Sequence, residues 1–257
     1  MAGNTSRADR VDAACRVLLA LRCPASVLAD LPSPWTARTV DVQGRAHGIV
    51  LVSYTRQPRR GGRWLAPLVP ARDHLGLHLA VESEDGRAAS WLLLRHTSSW
   101  VEAHRGDPDS ASCRRASFRL EQEPLGIGLS VRSGSGLALR LRATATSAFR
   151  SALFPSAAAF SSFAGDSLRV LRPEPSGQAA TAERFRLQDR AAFEPLAVTE
   201  WSVPALKDAG LPTGLEQATL DCGLRFVERR LATTLDPARA KLRAVMDRGG
   251  TRPAVSN

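Results

Sequence analysis

Lysine is nearly missing from this chain of 257 residues: Lys207 and Lys241 are all it has, although Lys and Arg together number 35. Aromatic residues are also few, at 5%. Both shortages argue against a nucleic-acid-binding module, despite a net charge of +10. Phosphate binding needs basic side chains concentrated on one face, and single strands need aromatic faces for stacking. Here the arginines are scattered among acids. An alanine-rich, arginine-over-lysine bias is what a GC-rich genome writes at ordinary surface positions. The densest group, Arg56, Arg59, Arg60 and Arg63, lies among Pro58, Gly61 and Gly62 and reads as a loop.

Long apolar runs are missing as well. No stretch approaches the roughly 18 residues a membrane-spanning helix requires. Arg7, Asp9, Arg10, Asp12 and Arg16 interrupt the segment where a signal peptide would need its apolar region, so the chain reads as cytoplasmic. The cysteines, Cys15, Cys23, Cys113 and Cys222, form no Cys-x-x-Cys pair, which argues against a zinc site or a disulfide framework. No Gly-x-Ser-x-Gly elbow, Gly-x-Gly-x-x-Gly turn or Walker loop occurs, so no cofactor is implied. His74 and His78 share one face of a strand but lack the company of a metal-ligand motif, and read as packed or solvated side chains.

What is present is strand periodicity. Candidate strands are 47–55, 74–81, 88–95, 115–121, 125–131 and 136–144, joined by short turns such as Glu84-Asp85-Gly86. In the last of these Leu137, Leu139 and Leu141 alternate with Arg140 and Arg142, as in a strand with one wet face. Strands resume at 167–171, 183–187 and 196–201, after a short helix at 155–163. The apolar stretch 218–231 fits strand or helix. Spacings of three and four at Val11, Ala14, Cys15, Leu18, Leu19 and Arg22 predict an amphipathic helix over 6–22. Asp236 and Pro237 open a second helix that Gly249-Gly250 closes. The fold class expected is mainly β (α+β): an antiparallel β-barrel or cone-like sandwich with flanking helices. Its parts are an N-terminal helix (1–30), the barrel (31–232), and a C-terminal helix and tail (233–257).

The block Leu153-Phe154-Pro155-Ser156, Phe163-Ala164-Gly165-Asp166-Ser167-Leu168, Phe185-Arg186-Leu187 and Phe193-Glu194-Pro195-Leu196-Ala197-Val198 resembles the acetoacetate decarboxylase-like superfamily. Gly48 to Tyr54 and Ser99 to Arg105 fall where that superfamily places a strand and a turn. The resemblance implies a closed or cone-shaped antiparallel barrel with a central cavity. In the decarboxylases a Gly-[Phe/Ile]-Pro-Lys segment supplies a lysine that forms a Schiff base with a β-keto acid. Here Ser110-Ala111-Ser112 replaces the start of that segment, and Cys113-Arg114 stands where the lysine belongs. Arginine stays protonated and forms no imine. The resemblance therefore implies a small-molecule binding protein without the Schiff-base lysine, taking a small anionic or carbonyl-containing ligand. Glu82, Arg95 and Arg114 are the residues expected to line its cavity. One alternative is an enzyme of altered chemistry, lyase- or hydrolase-like, on a carbonyl or carboxylate substrate, with Cys113 as a nucleophile activated by Arg114 and Arg115. A basic nucleic-acid-binding module is the other. No membrane partner is expected, and a homo-oligomer is compatible with everything above.

Overall fold

The computed structural model describes residues 15–28, 31, 34–57, 72–105, 113–123, 125–134, 136–166, 169–173, 179–184, 191–208 and 215–228. Thirteen strands join in one sheet: β1 (Cys15–Pro24), β2 (Trp35–Ala37), β3 (Thr39–Val42), β4 (Arg45–Gln57), β5 (Arg72–Ser83), β6 (Ala88–Thr97), β7 (Cys113–Gln122), β8 (Gly126–Ser133), β9 (Gly136–Ala145), β10 (Arg169–Pro173), β11 (Ala179–Arg184), β12 (Ala191–Ser202) and β13 (Thr219–Glu228). Among the described residues two α-helices accompany them, α1 (Trp100–Arg105) and α2 (Ala157–Asp166). No helix among the described residues is long and apolar enough to cross a membrane.

The path β6-β7-β8-β9-β12-β13-β1-β4-β5 returns to β6 and closes a barrel of 9 strands. An odd ring cannot alternate direction all the way round, so one junction has to be parallel. That junction is β6–β7, where Arg95, His96 and Thr97 face Cys113, Arg114 and Arg115. The other half of the same β6 edge takes β10, again in parallel. The barrel is therefore mixed, which corrects the expectation of a purely antiparallel one.

Alternate residues of β1, β4, β5, β8 and β9 fill the interior, among them Leu19, Leu21, Val52, Leu77, Leu129 and Leu141. A second cluster lies outside, where Phe154, Phe160 and Phe163 stack over Leu18, Ala20, Ile49 and Leu51. It accounts for a departure from the expected element type. Residues 15–22, expected to be helical, are strand β1, central between β13 and β4. Both of its faces are buried, so Val17-Leu18-Leu19-Ala20-Leu21 is apolar without alternation, and a continuous apolar run also satisfies helical spacing. Residues 6–14 and the expected C-terminal helix lie outside the described residues. The stretch left open between strand and helix is β13. The short helix α1, where a turn was expected, is capped by Ser99, whose Oγ accepts the N–H of Glu102 at 3.3 Å.

Candidate functional site

Paired residues on neighbouring strands share a face, so the strand register traces a row across the barrel wall. Starting on β12, that row reads Glu194, Arg225, Val17, Tyr54, Leu75, His96 and Arg114. Val17, Tyr54 and Leu75 belong to the interior core, so the row follows the inner face of the wall, and at its β7 end the Arg114 side chain is exposed. Ionisable groups thus enter an otherwise apolar interior at several points. Because barrel strands tilt against the axis, the row winds, and its two ends form separate groups.

The first group lies at the start of β1. Asp73, 5% exposed, accepts the Tyr54 hydroxyl at 2.6 Å and the Arg56 guanidinium at 2.9 and 3.3 Å. Burial, and then the Asp73 carboxylate, push the Tyr54 hydroxyl far above its ordinary pKa, so it serves as a donor. Arg225 pairs with Glu194 at 2.5 Å beside them. Cys15 is buried here and its thiol is raised by desolvation, which keeps it protonated. Each charge in this group is matched, as a structural network would have it.

In the second group Arg114 has an acidic partner and His96 has none. His96 is 1% exposed, and neither of its ring nitrogens has a hydrogen-bond partner. Burial, reinforced by the neighbouring Arg114, lowers its pKa to about 4, so the imidazole is neutral at physiological pH. Arg114 reaches Asp208 at 3.4 Å, in the turn Pro204–Asp208 that follows β12. A neutral imidazole keeps one donor and one acceptor nitrogen, and the adjacent guanidinium offers a planar fork of donors. Together they suit a carboxylate or a polarised carbonyl oxygen. Lys207, which read as a loop lysine, is exposed in that same turn next to Asp208.

Of the residues expected from the sequence, Arg114 alone lies on the inner row. Glu82 projects outward, because Leu75, Leu77, Leu79 and Val81 take the inner positions of β5. Arg95 also points outward, and the cause is a β-bulge. Leu77 faces Leu94 while His78 faces Leu92, so Leu93 is an extra residue, and every side chain after it changes face. Arg95 accordingly meets His74 at 3.3 Å and Glu102 at 3.8 Å on the outside, and His96 takes the inner place. Cys113 is half-buried and paired with Arg95 on that outer face.

The same outer face carries His78, whose Nε2 lies 3.1 Å from Ser53 Oγ. Burial holds His78 at a pKa of about 3, with Arg16 and Arg95 adding to the effect. Gly76 makes room for this pair: a Cβ there would come within 2.3 Å of His78 Nε2 and 2.9 Å of Ser53 Oγ. Gly76→Ala should therefore cost about 1–3 kcal/mol through overpacking. A urea midpoint equal to the wild type would refute that. Among the described residues no group of His, Cys, Asp and Glu gathers in a way that could hold a metal ion.

No family model matches the chain, and no curated protein matches it. Solved structures do. An acetoacetate decarboxylase-like enzyme from Sphingomonas wittichii RW1 covers 88% of this chain and 93% of its own length, at 14% identity and a TM-score of 0.50. Acetoacetate decarboxylase from Legionella pneumophila covers 84% and 82%, at 11% identity and a TM-score of 0.44. The enduracididine biosynthesis enzyme MppR, complexed with pyruvate, covers 82% and 83%, at 10% and 0.48. The chain has the acetoacetate decarboxylase-like fold. At such identities the likeness concerns the fold, and function must be argued from the residues.

Proposed function

We propose that the protein binds a small carboxylate- or carbonyl-bearing molecule at His96 and Arg114, without forming an imine. The observation that carries this reading is the buried imidazole with both nitrogens unpartnered beside a guanidinium. Buried polar groups are nearly always hydrogen-bonded, and an exception calls for an explanation such as a ligand. The resemblance sets Cys113-Arg114 where it expects the Schiff-base lysine, and on that alignment a charge is kept while the amine nucleophile is lost. Pyruvate and acetoacetate, each with a carboxylate and a ketone, are the natural probes for this pair of side chains.

Titration of either probe into the full chain should saturate, and Arg114→Gln should weaken binding at least tenfold. His96→Phe, which keeps the volume and removes both nitrogens, should weaken it comparably. Borohydride added to the complex should label no lysine. Stoichiometric labelling of Lys207, which adjoins Asp208, would replace this reading with an imine-forming enzyme. Absence of saturable binding by both probes would overturn it outright.

A further inference from the structure

Strands β7, β8, β9 and β12 carry a groove of about 580 Å³ on the outside of the barrel, remote in role from the interior site. Its floor is β8, whose outward residues along the groove are Gly128, Ser130 and Arg132. The register sets Arg119 of β7 and Arg140 of β9 opposite Ser130 on its two sides. Arg142 and Glu121 flank Gly128, with the Glu121 carboxylate lying over it, and Ser117 stands beside Arg132. Small residues on the middle strand, with long cationic ones on both flanks of Ser130, make a trough instead of a level face. Two strand spacings put the backbones of Arg119 and Arg140 roughly 10 Å apart. Both guanidiniums can then close on one anion above Ser130, and Arg132 adds a third from two residues along.

The local charge favours such an occupant. Arg119, Arg132, Arg140 and Arg142 oppose only Glu121 and Glu200, so four positive charges less two negative leave +2. Arg119 pairs with Glu121 at 2.9 Å, but the two side chains are 81% and 54% exposed. Arg140 and Arg142 share Glu200 at 3.5 and 3.4 Å. Pairs so exposed are weak and screened, and they exchange readily for a better anion. Arg132 has no acidic partner among the described residues. Arginine forks match the oxygens of a phosphoryl group, two bonds at a time.

We infer that this groove binds the phosphoryl group of a small phosphorylated molecule. Its volume lies in the range of small-molecule sites, roughly 300–1,000 Å³. The inference is independent of the reading of His96 and Arg114. Calorimetric titration of the full chain with inorganic pyrophosphate, and separately with AMP, at physiological ionic strength tests it. Pyrophosphate should saturate, and binding should fall at least tenfold in an Arg119→Ala/Arg140→Ala variant and in Ser130→Glu. The Arg45→Ala/Arg87→Ala variant removes exposed charges elsewhere and should bind as the wild type does. The arginine side chains are exposed and Ser130 is half-buried, and an unchanged circular-dichroism spectrum verifies that each variant folds. No saturation by either probe, or an equal loss in the Arg45→Ala/Arg87→Ala variant, overturns the inference. So does tighter binding of a short DNA duplex with the same arginine dependence, which would give the groove to nucleic acid.

Discussion

Between pH 6.5 and 4.5 the folded protein should lose stability on the order of several kcal/mol, well before most carboxylates titrate. The main causes are His78 and His96. Both imidazoles are buried neutral, with folded pKa values of about 4 and about 3 against 6.5 when unfolded. A depressed histidine pKa means that the unfolded chain binds the extra proton first, so the folded state is penalised as pH falls. The stabilisation is complete above 6.5 and is lost progressively toward the folded pKa. His74 is lowered too, mainly by burial and then by Arg95, and it acts in the same direction. A tenfold difference in proton affinity between the two states corresponds to about 1.4 kcal/mol. Even part of this effect is therefore large beside a total stability of roughly 5–15 kcal/mol. Denaturant titrations at pH 7.5, 6.5, 5.5 and 4.5 measure it. His96→Phe should flatten the slope, and a wild-type midpoint constant from 7.5 to 4.5 would refute the argument.

Asp73→Ala should cost about 2–3 kcal/mol and lower Tm by roughly 4–12 °C. The carboxylate is buried and accepts from Tyr54 and Arg56, so its removal strands a buried hydroxyl and a cation together. The figure lies below the usual cost of breaking a buried pair because Arg56 is 33% exposed and water takes up part of its charge. Asp73→Asn keeps an acceptor and should cost less. Tyr54→Phe loses one hydrogen bond and should cost about 1 kcal/mol. Thermal melts of the three variants give the order. An Asp73→Ala variant within 0.5 kcal/mol of wild type would mean that the network contributes nothing.

The strands from Arg45 to Ala145 were legible because each presents one apolar face, or lies between turns that punctuate it. Leu137, Leu139 and Leu141 show this most clearly. β1 was illegible for the opposite reason: α2 and its neighbours cover the outside of the barrel there, so no polar face marks the period. The candidate site was half legible. Arg114 was named through the resemblance, which set Cys113-Arg114 at the position of a lysine. His96 was hidden behind Arg95, because alternation counted along β6 from Trp91 leads to Arg95. A single bulge at Leu93 reverses that count, and nothing local in Trp91-Leu92-Leu93-Leu94 announces it. The outer arginine groove is invisible to composition, since it depends on which arginines the register gathers around Ser130.

The position of β1 between β4 and β13 has a consequence for synthesis. One edge of β1 can zip to β4 as soon as the first hairpins emerge. Its other edge must wait for β13: Arg22 meets Thr219, which lies 197 positions later. At translation rates of about 5–20 residues per second, that edge stays open for roughly 10–40 s. During that interval a ten-residue apolar strand, Cys15–Pro24, offers unpaired N–H and C=O groups to any neighbouring chain. β13, the last of the described strands, therefore protects β1, the first of them. A nascent chain stalled before Thr219 should be sticky in a way the finished barrel is not.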